Sequence, residues 1–476
     1  MNQTVLSQKI LALKLYPRMN AAEVDKLGAL LPTLGEWDLV RINPLAFAHQ
    51  HGFDPEVLLD IFIHGAKIGL FDFHYGQICA SCGGCEHAYS RLDAISSEQI
   101  PCTVCSISRE ASMDDFVEVT FECSEALGVT HPEPLSGLGA YLRSYRSANL
   151  LSPNLDALGA GASMKGFAAI APDVKGKLGA VLEVGQYRLI NLESHSQLRV
   201  TVEGSPLTIE QIVDIDLMEG GISPLSLVLR PGNVVFHLNN RLKAATGIVL
   251  QNASEFLKIA LPHMQAERVW RPFLTGKAFL NNQSFRELFR MQAWAPDMKL
   301  KIKSLTVLFT DLKGSTDMYG RVGDITAYDV VQKHFNLLTE VVREFHGALV
   351  KTMGDAIMAT FSNSQEGVLA SLAMLDRMKK LDSSSGQTEL GIKIGVHEGP
   401  ALAVTADDRL DYFGQNINLA ARVQGLAEAG EVWITGAVYD SPGVADLLQT
   451  SRLKRETKLA TLKGIAAPTP VYRLFS

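Results

Sequence analysis

Two short apolar segments in the C-terminal third of the chain each lead to an aspartate, and they limit the folds available to it. Residues 305–310 form a continuous apolar run typical of a buried strand, and Asp311 follows directly. Residues 348–352 and 356–361 are two further apolar strands, and Met-Gly-Asp at 353–355 joins them, which predicts a hairpin with its acid at the tip. These segments therefore predict a sheet that carries carboxylates at two strand ends.

The segments around these strands alternate between strand and helix patterns. Apolar residues at 331, 335, 338, 342 and 345 have the spacing of one helix face, and a second amphipathic helix covers about 364–381. A buried strand at 390–396, a short helix at 417–426 and a strand at 431–435 follow. This order predicts an α+β sandwich with helices on one face of an antiparallel sheet.

Several polar residues of this region suit a nucleoside triphosphate and its metals. Asp311 and Asp355 can hold two divalent cations, because Mg²⁺ takes one or two carboxylates plus phosphate oxygens. The Gly-Ser-Thr loop at 314–316 offers backbone N–H groups to a phosphate just before a helix. Asn418 and Arg422 are four residues apart and share a helix face. Each signal alone has an ordinary explanation, such as a turn aspartate, and the interpretation depends on their joint occurrence in this order.

Residues 301–476 resemble the catalytic domain of the class III nucleotidyl cyclases, a family with a ferredoxin-like fold. The segment 309–316 resembles the first metal motif, and 351–355 resembles the motif that joins a base-selecting lysine to the second metal aspartate. The remaining matches are Asp411, Asn418, Arg422 and Lys463. Ile465 departs from the family pattern, which often has a second lysine at that position.

The resemblance implies a role for each matched residue in the cyclisation of a nucleoside triphosphate. It implies two Mg²⁺ or Mn²⁺ ions for an in-line displacement, with an asparagine that positions the ribose and an arginine that stabilises charge on the α-phosphoryl group. The implied sets are Asp311, Leu312 and Asp355 for metals, Gly314, Ser315, Thr316 and Lys463 for phosphates, and Asn418 and Arg422 for catalysis.

Lys351 and Asp411 are the residues that the resemblance assigns to the base. Asp411 can accept from the exocyclic amine of adenine and Lys351 can donate to N1, whereas guanine would leave buried polar groups unpaired. We therefore expect ATP rather than GTP as substrate. Related cyclases place the metal aspartates on one subunit and the Asn/Arg pair on the other, so one chain with all of them implies a homodimer with active sites at the subunit interface.

The composition limits partners and location. The net charge of -7 argues against a protein that coats nucleic acid or an anionic membrane. No apolar run reaches the ~20 residues of a membrane span, and the N-terminus lacks a signal-peptide pattern. We expect a cytoplasmic protein that binds neither nucleic acid nor membrane.

All six cysteines fall between Cys79 and Cys123. Two C-x-x-C pairs, Cys79 with Cys82 and Cys102 with Cys105, have zinc-ribbon spacing and predict one structural Zn²⁺. A further cysteine at position 85 leaves an iron–sulfur cluster open, and free thiols without metal are the third alternative. Cys123 lies in a period-two segment, which favours a strand residue over a ligand.

The rest of the chain divides into four predicted segments ahead of the 301–476 domain. Residues 1–78 are predicted to form short helices, with helix starts at Asn43-Pro44 and Asp54-Pro55, in an outline that resembles a winged-helix module. Residues 79–124 form the predicted cysteine module. Residues 125–265 carry strand and turn signals of an antiparallel sandwich or barrel, and 266–300 form a connector. Residues 1–78 hold six basic and eight acidic residues, which favours a packing module over a DNA reader.

Three functions remain open from the sequence. The leading hypothesis is an adenylate cyclase controlled by residues 1–300, which resemble an uncharacterised regulatory region ahead of some bacterial cyclases. The second is a non-catalytic nucleotide-binding scaffold with a cyclase-like domain. The third is a zinc-ribbon DNA-binding regulator, which would bind duplex DNA in a strongly salt-dependent way.

Overall fold

The structure is a computed structural model. It describes residues 1–89, 99–103, 108–110, 112–114, 117–152, 160–263, 266–289, 299–314, 320, 323–385, 391–406, 409–451, 453–465 and 467–475. Contacts between residues divide the chain into two compact units. The first comprises 1–91, 97–111 and 115–274, and the second comprises 92–96, 112–114 and 275–476.

The first unit begins with helices and continues mainly as strands. Its helices are α1 (Gln3–Leu13), α2 (Ala21–Leu30), α3 (Pro44–His51), α4 (Pro55–Lys67), α5 (Leu138–Ser144) and α6 (Ala253–Ala260). Its strands are β1 (Phe71–Ile78), β2 (Cys85–Tyr89), β3 (Gln99–Pro101), β4 (Ser108–Glu110), β5 (Val117–Cys123), β6 (Leu150–Ser152), β7 (Met164–Ile170), β8 (Lys175–Leu182), β9 (Gly185–Asn191), β10 (Ser196–Val202), β11 (Gln211–Met218), β12 (Gly221–Ser223), β13 (Ser226–Leu229), β14 (Gly232–Asn240), β15 (Thr246–Asn252) and β16 (Val269–Trp270).

The second unit alternates helices and strands. Its helices are α7 (Gly276–Leu280), α8 (Gln283–Leu288), α9 (Asp324–Glu344), α10 (Ser364–Ser385), α11 (Gln415–Gln424), α12 (Gly436–Tyr439) and α13 (Val444–Thr450). Its strands are β17 (Lys299–Lys313), β18 (Ala348–Met353), β19 (Ala356–Phe361), β20 (Gly391–Ala406), β21 (Arg409–Phe413), β22 (Glu431–Thr435), β23 (Lys454–Ala460) and β24 (Thr469–Phe475).

The predicted helix starts in the N-terminal segment are confirmed. Asn43 caps α3 by accepting from the backbone N–H groups of Leu45 and Ala46, and Pro44 follows as the first helical residue. Asp54 caps α4 in the same way before Pro55. Both caps satisfy N–H groups that have no partner within the helix, which is why Asn or Asp followed by Pro marks these starts.

Two facing sheets form the β-rich part of the first unit. One has the strand order β13-β10-β9-β15-β7 and the other β12-β11-β14-β8, and one core of alternate residues, including Leu189, Val200, Phe236 and Ile248, fills the space between them. The expected sheets were antiparallel, but β10 pairs with β13, and β11 with β14, in parallel. The chain crosses to the other sheet between these partners, so turn signals alone did not reveal their direction.

One eight-stranded sheet organises the second unit. Its order is β18-β19-β17-β20-β22-β24-β23, and β21 pairs with β20. Residues of α9 and α10 pack with Leu308, Val432 and Ile434 in one core, whereas residues of α11 pack with Trp433 in another. Because neighbouring strand residues point to opposite faces, α11 lies on the face opposite α9 and α10. The single helical layer expected from the sequence therefore holds for α9 and α10 but not for α11.

The direction of one strand pair also differs from the expectation. β20 and β22 run parallel, with Lys393 opposite Glu431, while the other pairs of this sheet are antiparallel. Parallel neighbours require a crossover, and α11 lies between β20 and β22 in the chain. Within the part of the chain that the structure describes, no helix has both the length and the apolar character needed to cross a membrane.

Candidate active site

The two predicted metal aspartates lie at the same end of neighbouring strands. β17 pairs with β19, and the backbone N–H of Ile357 donates to Oγ1 of Thr310 at 3.2 Å. Asp311 is the residue after Thr310, and Asp355 lies two residues before Ile357 in the β18–β19 turn. This bond therefore brings the two aspartates, 44 positions apart in the chain, to one edge of the sheet.

The surroundings of the two carboxylates suit a bound cation. Oδ2 of Asp355 is buried and has no hydrogen-bond partner among the residues that the structure describes. An unpaired buried carboxylate oxygen is costly unless a cation or donor compensates it. Oδ2 of Asp311 accepts from Nζ of Lys393 at 3.3 Å across the β17–β20 ladder. The donor set, two carboxylates of which one oxygen is unpaired, fits a hard divalent cation.

Lys393 was not predicted from the sequence. It lies between two fully apolar neighbours, Ile392 and Ile394, which are both buried. A lysine inside an apolar strand is unusual because its charge must reach either solvent or a carboxylate. That local exception was the signal available in the sequence, and the strand register then gives Asp311 as the partner.

The loop after β17 is described only in part. Gly314 is exposed with a φ of +87°, a left-handed conformation that glycine adopts without strain. The side chain of Leu312 is buried and has no ligand atom, so the candidate ligand at this position is the backbone carbonyl. Ser315 and Thr316 lie outside the described residues.

The two residues assigned to the base are in contact. Nζ of Lys351 on β18 donates to Oδ2 of Asp411 on β21 at 2.5 Å. The other carboxylate oxygen of Asp411 accepts from the backbone N–H of Tyr412 at 2.8 Å. Asp411 is the more buried partner, with a side chain 19% exposed against 41% for Lys351. The pair thus presents one donor and one acceptor at a partly open position.

Asn418, Arg422 and Lys463 form a third group. Asn418 is exposed and Arg422 half-buried on α11. A Cβ placed on Gly464 would lie 3.3 Å from Nη1 of Arg422, so the guanidinium lies against the turn that carries the exposed Lys463. Of the residues that the structure describes, neither Asn418 nor Arg422 hydrogen-bonds or ion-pairs with Asp311 or Asp355.

A buried histidine that no sequence pattern had indicated anchors the start of α11. His397 contacts Oδ1 of Asn416 through Nε2 at 3.0 Å and Oγ1 of Thr435 through Nδ1 at 2.9 Å. Burial lowers the pKa of His397, so the neutral ring would donate from Nε2 and accept at Nδ1. Asn416 in turn donates to the carbonyl of Pro400 at 2.7 Å. These bonds hold the first turn of the helix that carries Asn418.

Three of the four predicted zinc ligands converge in the first unit. The Sγ atoms of Cys79, Cys82 and Cys102 all lie within 4.8 Å of one another, and all three residues are buried. Cys105 lies outside the described residues. Cys123 is a buried residue of β5, and burial, with the charge of Glu122, raises its pKa to about 12. A thiol with this pKa is a poor ligand, in agreement with its assignment as a strand residue.

Family comparisons identify both parts of the chain. Residues 298–464 match the family described as "Adenylate and Guanylate cyclase catalytic domain", so the C-terminal part is a class III nucleotidyl cyclase catalytic domain. Residues 7–287 match the "Family of unknown function (DUF5939)". This match covers more than half of the chain, and the chain belongs to the DUF5939 family.

Individual relatives are similar over about a third of the chain. The serine/threonine-protein kinase pkn2 of Myxococcus xanthus is 33% identical over 140 residues, which cover 29% of this chain and 16% of the relative. The receptor-type adenylate cyclase GRESAG 4.1 of Trypanosoma brucei brucei is 25% identical over 210 residues, or 36% of this chain and 16% of the relative. The chain thus spans about a sixth of the length of these two relatives.

Among solved structures, the adenylyl cyclase CyaB from P. aeruginosa is 26% identical. The alignment covers 37% of this chain and 96% of that one, with a TM-score of 0.33.

Proposed function

We propose that this protein is an adenylate cyclase that converts ATP to 3′,5′-cyclic AMP and pyrophosphate, with residues 1–300 as its regulatory part. The observation that carries the proposal is that Asp311 and Asp355 lie at the same end of the paired strands β17 and β19, and that a carboxylate oxygen of Asp355 is buried there without a partner among the described residues. The cyclase family match and the similarity to a receptor-type adenylate cyclase support the same reaction class.

Asp311 and Asp355, with the backbone carbonyl of Leu312, would hold two Mg²⁺ or Mn²⁺ ions. When bound, these ions would lower the pKa of the ribose 3′-hydroxyl and neutralise the triphosphate. Lys393, which contacts Asp311, would keep that carboxylate oriented when no ion is bound. The side chain of Leu312 is buried in the sheet and keeps the backbone at this position in place.

The other groups of the site would bind and orient the substrate. Asn418 would hold the ribose so that its 3′-oxygen faces the α-phosphorus. The bond from this oxygen to phosphorus forms as the bond to the β-phosphate oxygen breaks, and pyrophosphate leaves. Arg422 would stabilise the charge that develops on the α-phosphoryl oxygens. Lys463, Gly314, Ser315 and Thr316 would bind the leaving phosphates.

Contact between Lys351 and Asp411 supports ATP over GTP. In the absence of a base the two side chains satisfy each other, and adenine can replace this bond by accepting from the lysine at N1 and donating its amine to the aspartate. Guanine offers O6 and a protonated N1, which leaves one group of each partner unpaired at about 1–3 kcal/mol each. The choice between adenine and guanine is therefore assigned to this pair.

Exchange of the base-selecting pair tests the proposal. The double variant Lys351→Glu with Asp411→Cys should lower the ratio of kcat/KM for ATP to that for GTP by at least about tenfold, because its donor and acceptor now match guanine. The comparison uses initial rates with both nucleotides and Mn²⁺. An unchanged preference for ATP would remove Lys351 and Asp411 from the base site.

The resemblance to class III cyclases supports a homodimer, because related cyclases place the metal aspartates on one subunit and the Asn/Arg pair on the other. A second copy of this chain would then supply the other half of each site. A two-fold dimer of identical chains would then contain two equivalent active sites. We propose a cytoplasmic homodimer that needs neither nucleic acid nor a membrane for activity.

The clustered thiols support one structural Zn²⁺ per chain, held by Cys79, Cys82 and Cys102 with Cys105 as the fourth ligand. Gly83 donates its N–H to the carbonyl of Cys79 at 2.8 Å and has a φ of +69°, which closes the tight turn of a zinc knuckle. Metal analysis of the purified protein should find about one zinc per chain. If the analysis finds iron with sulfide instead, the cysteines hold an iron–sulfur cluster. If it finds no metal, the cysteines do not form a metal site.

A non-catalytic scaffold is the second candidate function. A scaffold would bind ATP without releasing pyrophosphate, so pyrophosphate release in the presence of Mn²⁺ separates it from an enzyme. The unpaired oxygen of Asp355 disfavours the scaffold, because a chain without metal chemistry gains nothing from that cost.

A further inference from the structure

The two short helices before the catalytic strand belong to the second unit and pack onto its sheet. Phe279 of α7 and Phe285 of α8 are buried, and their ring centroids lie 4.2 Å apart. Oδ1 of Asn281, in the turn between the helices, accepts from the hydroxyl of Thr360 on β19 at 2.6 Å. Since buried polar groups need their partners, α7 and α8 are a fixed part of this unit.

Gln283 connects α8 to the strand that carries Lys351. Its side-chain oxygen accepts from the backbone N–H of Leu349 at 2.8 Å, two residues before Lys351 on β18. Its side-chain nitrogen donates to Oε1 of Glu287 one turn later at 2.8 Å, which fixes the orientation of the amide. Gln283 is only 6% exposed, and loss of this side chain would leave the N–H of the half-buried Leu349 without that partner.

Arg286 connects the same helix to the strand that carries Asp411. Its Nη2 donates to the carbonyl of Leu410 at 2.7 Å, and its guanidinium lies 5.5 Å from the ring centroid of Tyr412. Arg286 therefore contacts the residues on both sides of Asp411. Its Nη1 also donates to the carbonyl of Leu280 at 3.2 Å, which ties the side chain to α7.

The space between α8 and these strands is not closely packed. A cavity of about 210 Å³ lies there, and its lining includes Phe285, Arg286, Phe289, Lys351 and Arg409. Close packing normally fixes the distance between an element and its neighbour. Around this cavity, the polar contacts of Gln283 and Arg286 take over that task.

We propose that α7 and α8 form a positioning element for the base site, in which Gln283 and Arg286 set the separation and orientation of Lys351 and Asp411. This inference deepens the proposed function, since it depends on the assignment of these two residues to the base. Gln283 and Arg286 are positioning residues that need not touch the substrate. Helix α7 begins the second unit, directly after the boundary at Leu274.

Arg286→Met in the full-length chain tests the proposal, because it keeps the length of the side chain and removes its donors. With ATP and Mn²⁺ we expect KM to rise about tenfold, because a tenfold change corresponds to the free energy of about one buried hydrogen bond. The preference for ATP over GTP should fall by a similar factor, while kcat stays within about twofold. Arg286→Lys should recover part of the loss, since lysine can still donate to the carbonyl of Leu410.

Arg377→Met is the matched control. Arg377 lies on α10 and pairs with Glu344 of α9 at 2.5 Å, a contact that involves neither β18 nor β21. It should leave KM and the nucleotide preference unchanged. The proposal would be overturned if Arg286→Met and Arg377→Met lost kcat and the preference for ATP over GTP to the same extent. It would also be overturned if Arg286→Met left both KM and this preference unchanged.

Gln283→Met provides a second variant if Arg286→Met does not fold. Hydrogen–deuterium exchange at residues 409–413 and 349–351 measures positioning without turnover, and both segments should exchange faster in either variant than in the control. Unchanged exchange would contradict the positioning role. If the wild-type protein makes no cyclic nucleotide, the proposed function fails, but the exchange result still decides whether the two helices position these strands.

Discussion

Asp355 shows at the scale of one residue why the catalytic interpretation is favoured. Within the described part of the chain its buried Oδ2 has no hydrogen-bond partner, which costs about 1–3 kcal/mol in a site without a cation. Unpaired buried polar groups of this kind are retained where function requires them, and replacing them often stabilises a protein at the expense of activity. The residue is therefore expected to lower stability in the metal-free protein and to be needed for turnover.

Asp355→Asn separates these two effects. Turnover should fall at least about hundredfold, the range seen when one stabilising group is removed from an active site. The melting temperature without metal should be unchanged or higher. Addition of Mn²⁺ with a non-reactive ATP analogue should stabilise the wild-type protein and have less effect on the variant. An equal ligand-dependent shift in both proteins would remove Asp355 from the metal site.

His334 on α9 predicts a specific pH dependence of stability. Burial lowers its pKa from 6.5 to about 4, although the charge of Asp355 acts in the opposite direction. The folded state favours the neutral ring, whereas the unfolded state takes up a proton below about pH 6.5. The stabilising contribution of His334 to the free energy of unfolding is therefore complete above about pH 6.5 and is lost as the pH falls toward 4. Between pH 7.5 and pH 5 the free energy of unfolding falls by about 2 kcal/mol through this group.

His334→Leu should remove that dependence. Urea unfolding at pH 7.5 and at pH 5, without metal, gives the loss of stability on acidification for each protein, and the loss should be about 2 kcal/mol smaller in the variant. Contributions of other groups cancel in this comparison. An identical loss in both proteins would show that His334 is not buried in its neutral form.

Sequence motifs predicted some site residues and missed others for a physical reason. Asp311, Asp355 and Arg422 lie in short patterns that the chemistry requires, so they can be found in one dimension. Lys393 and Arg286 act through contacts between distant strands and helices, at separations of 82 and 124 residues from Asp311 and Leu410. Such contacts depend on strand register and helix placement, which a single sequence does not encode locally.

The β18–β19 hairpin is the element that presents Asp355. Met353 pairs with Ala356, and the intervening Gly354 has a φ of +63°. A side chain at that φ costs about 1–2 kcal/mol, so Gly354→Ala should destabilise the protein by about that amount and reduce turnover by moving Asp355. Gly139→Ala is the control, because Gly139 lies in α5 with open space around it and should be neutral or stabilising.

Thermal unfolding and turnover of the two glycine variants check this prediction. Equal stability of Gly354→Ala and the wild type would mean that the turn tolerates a side chain. Normal turnover in a destabilised Gly354→Ala variant would mean that the hairpin does not set the position of the acid.

Local patterns predicted the existence of elements better than their direction. The strand 431–435 was predicted with the bounds that β22 has, and the hairpin of β18 and β19 is confirmed. The parallel pairs in both units were missed. Apolar periodicity records which side of a segment is buried, whereas strand direction follows from the path of the chain between sheets.

At the scale of the whole molecule, a shared active site predicts complementation between two inactive variants. Asp311→Ala lacks a proposed metal ligand and Arg422→Ala lacks the arginine proposed to stabilise the transition state, so neither variant alone should be active. In a homodimer with sites at its interface, an equal mixture forms mixed dimers with one intact site. Activity should then recover to about a quarter of the wild-type value after subunit exchange.

The matched control for complementation mixes two variants of the same half-site. Asp311→Ala with Asp355→Asn should remain inactive, because no combination of these chains restores both aspartates in one subunit. Recovery in this mixture, or its absence in the first, would contradict an active site made of aspartates from one subunit and Asn418 and Arg422 from the other.

The most direct measurement is the initial rate of cyclic AMP formation from ATP by the purified full-length protein with Mn²⁺, beside that of cyclic GMP from GTP. We predict cyclic AMP and pyrophosphate in equal amounts, a higher kcat/KM for ATP than for GTP, and no product from Asp311→Ala. A dimeric, folded preparation that binds ATP but forms no cyclic nucleotide would contradict the account.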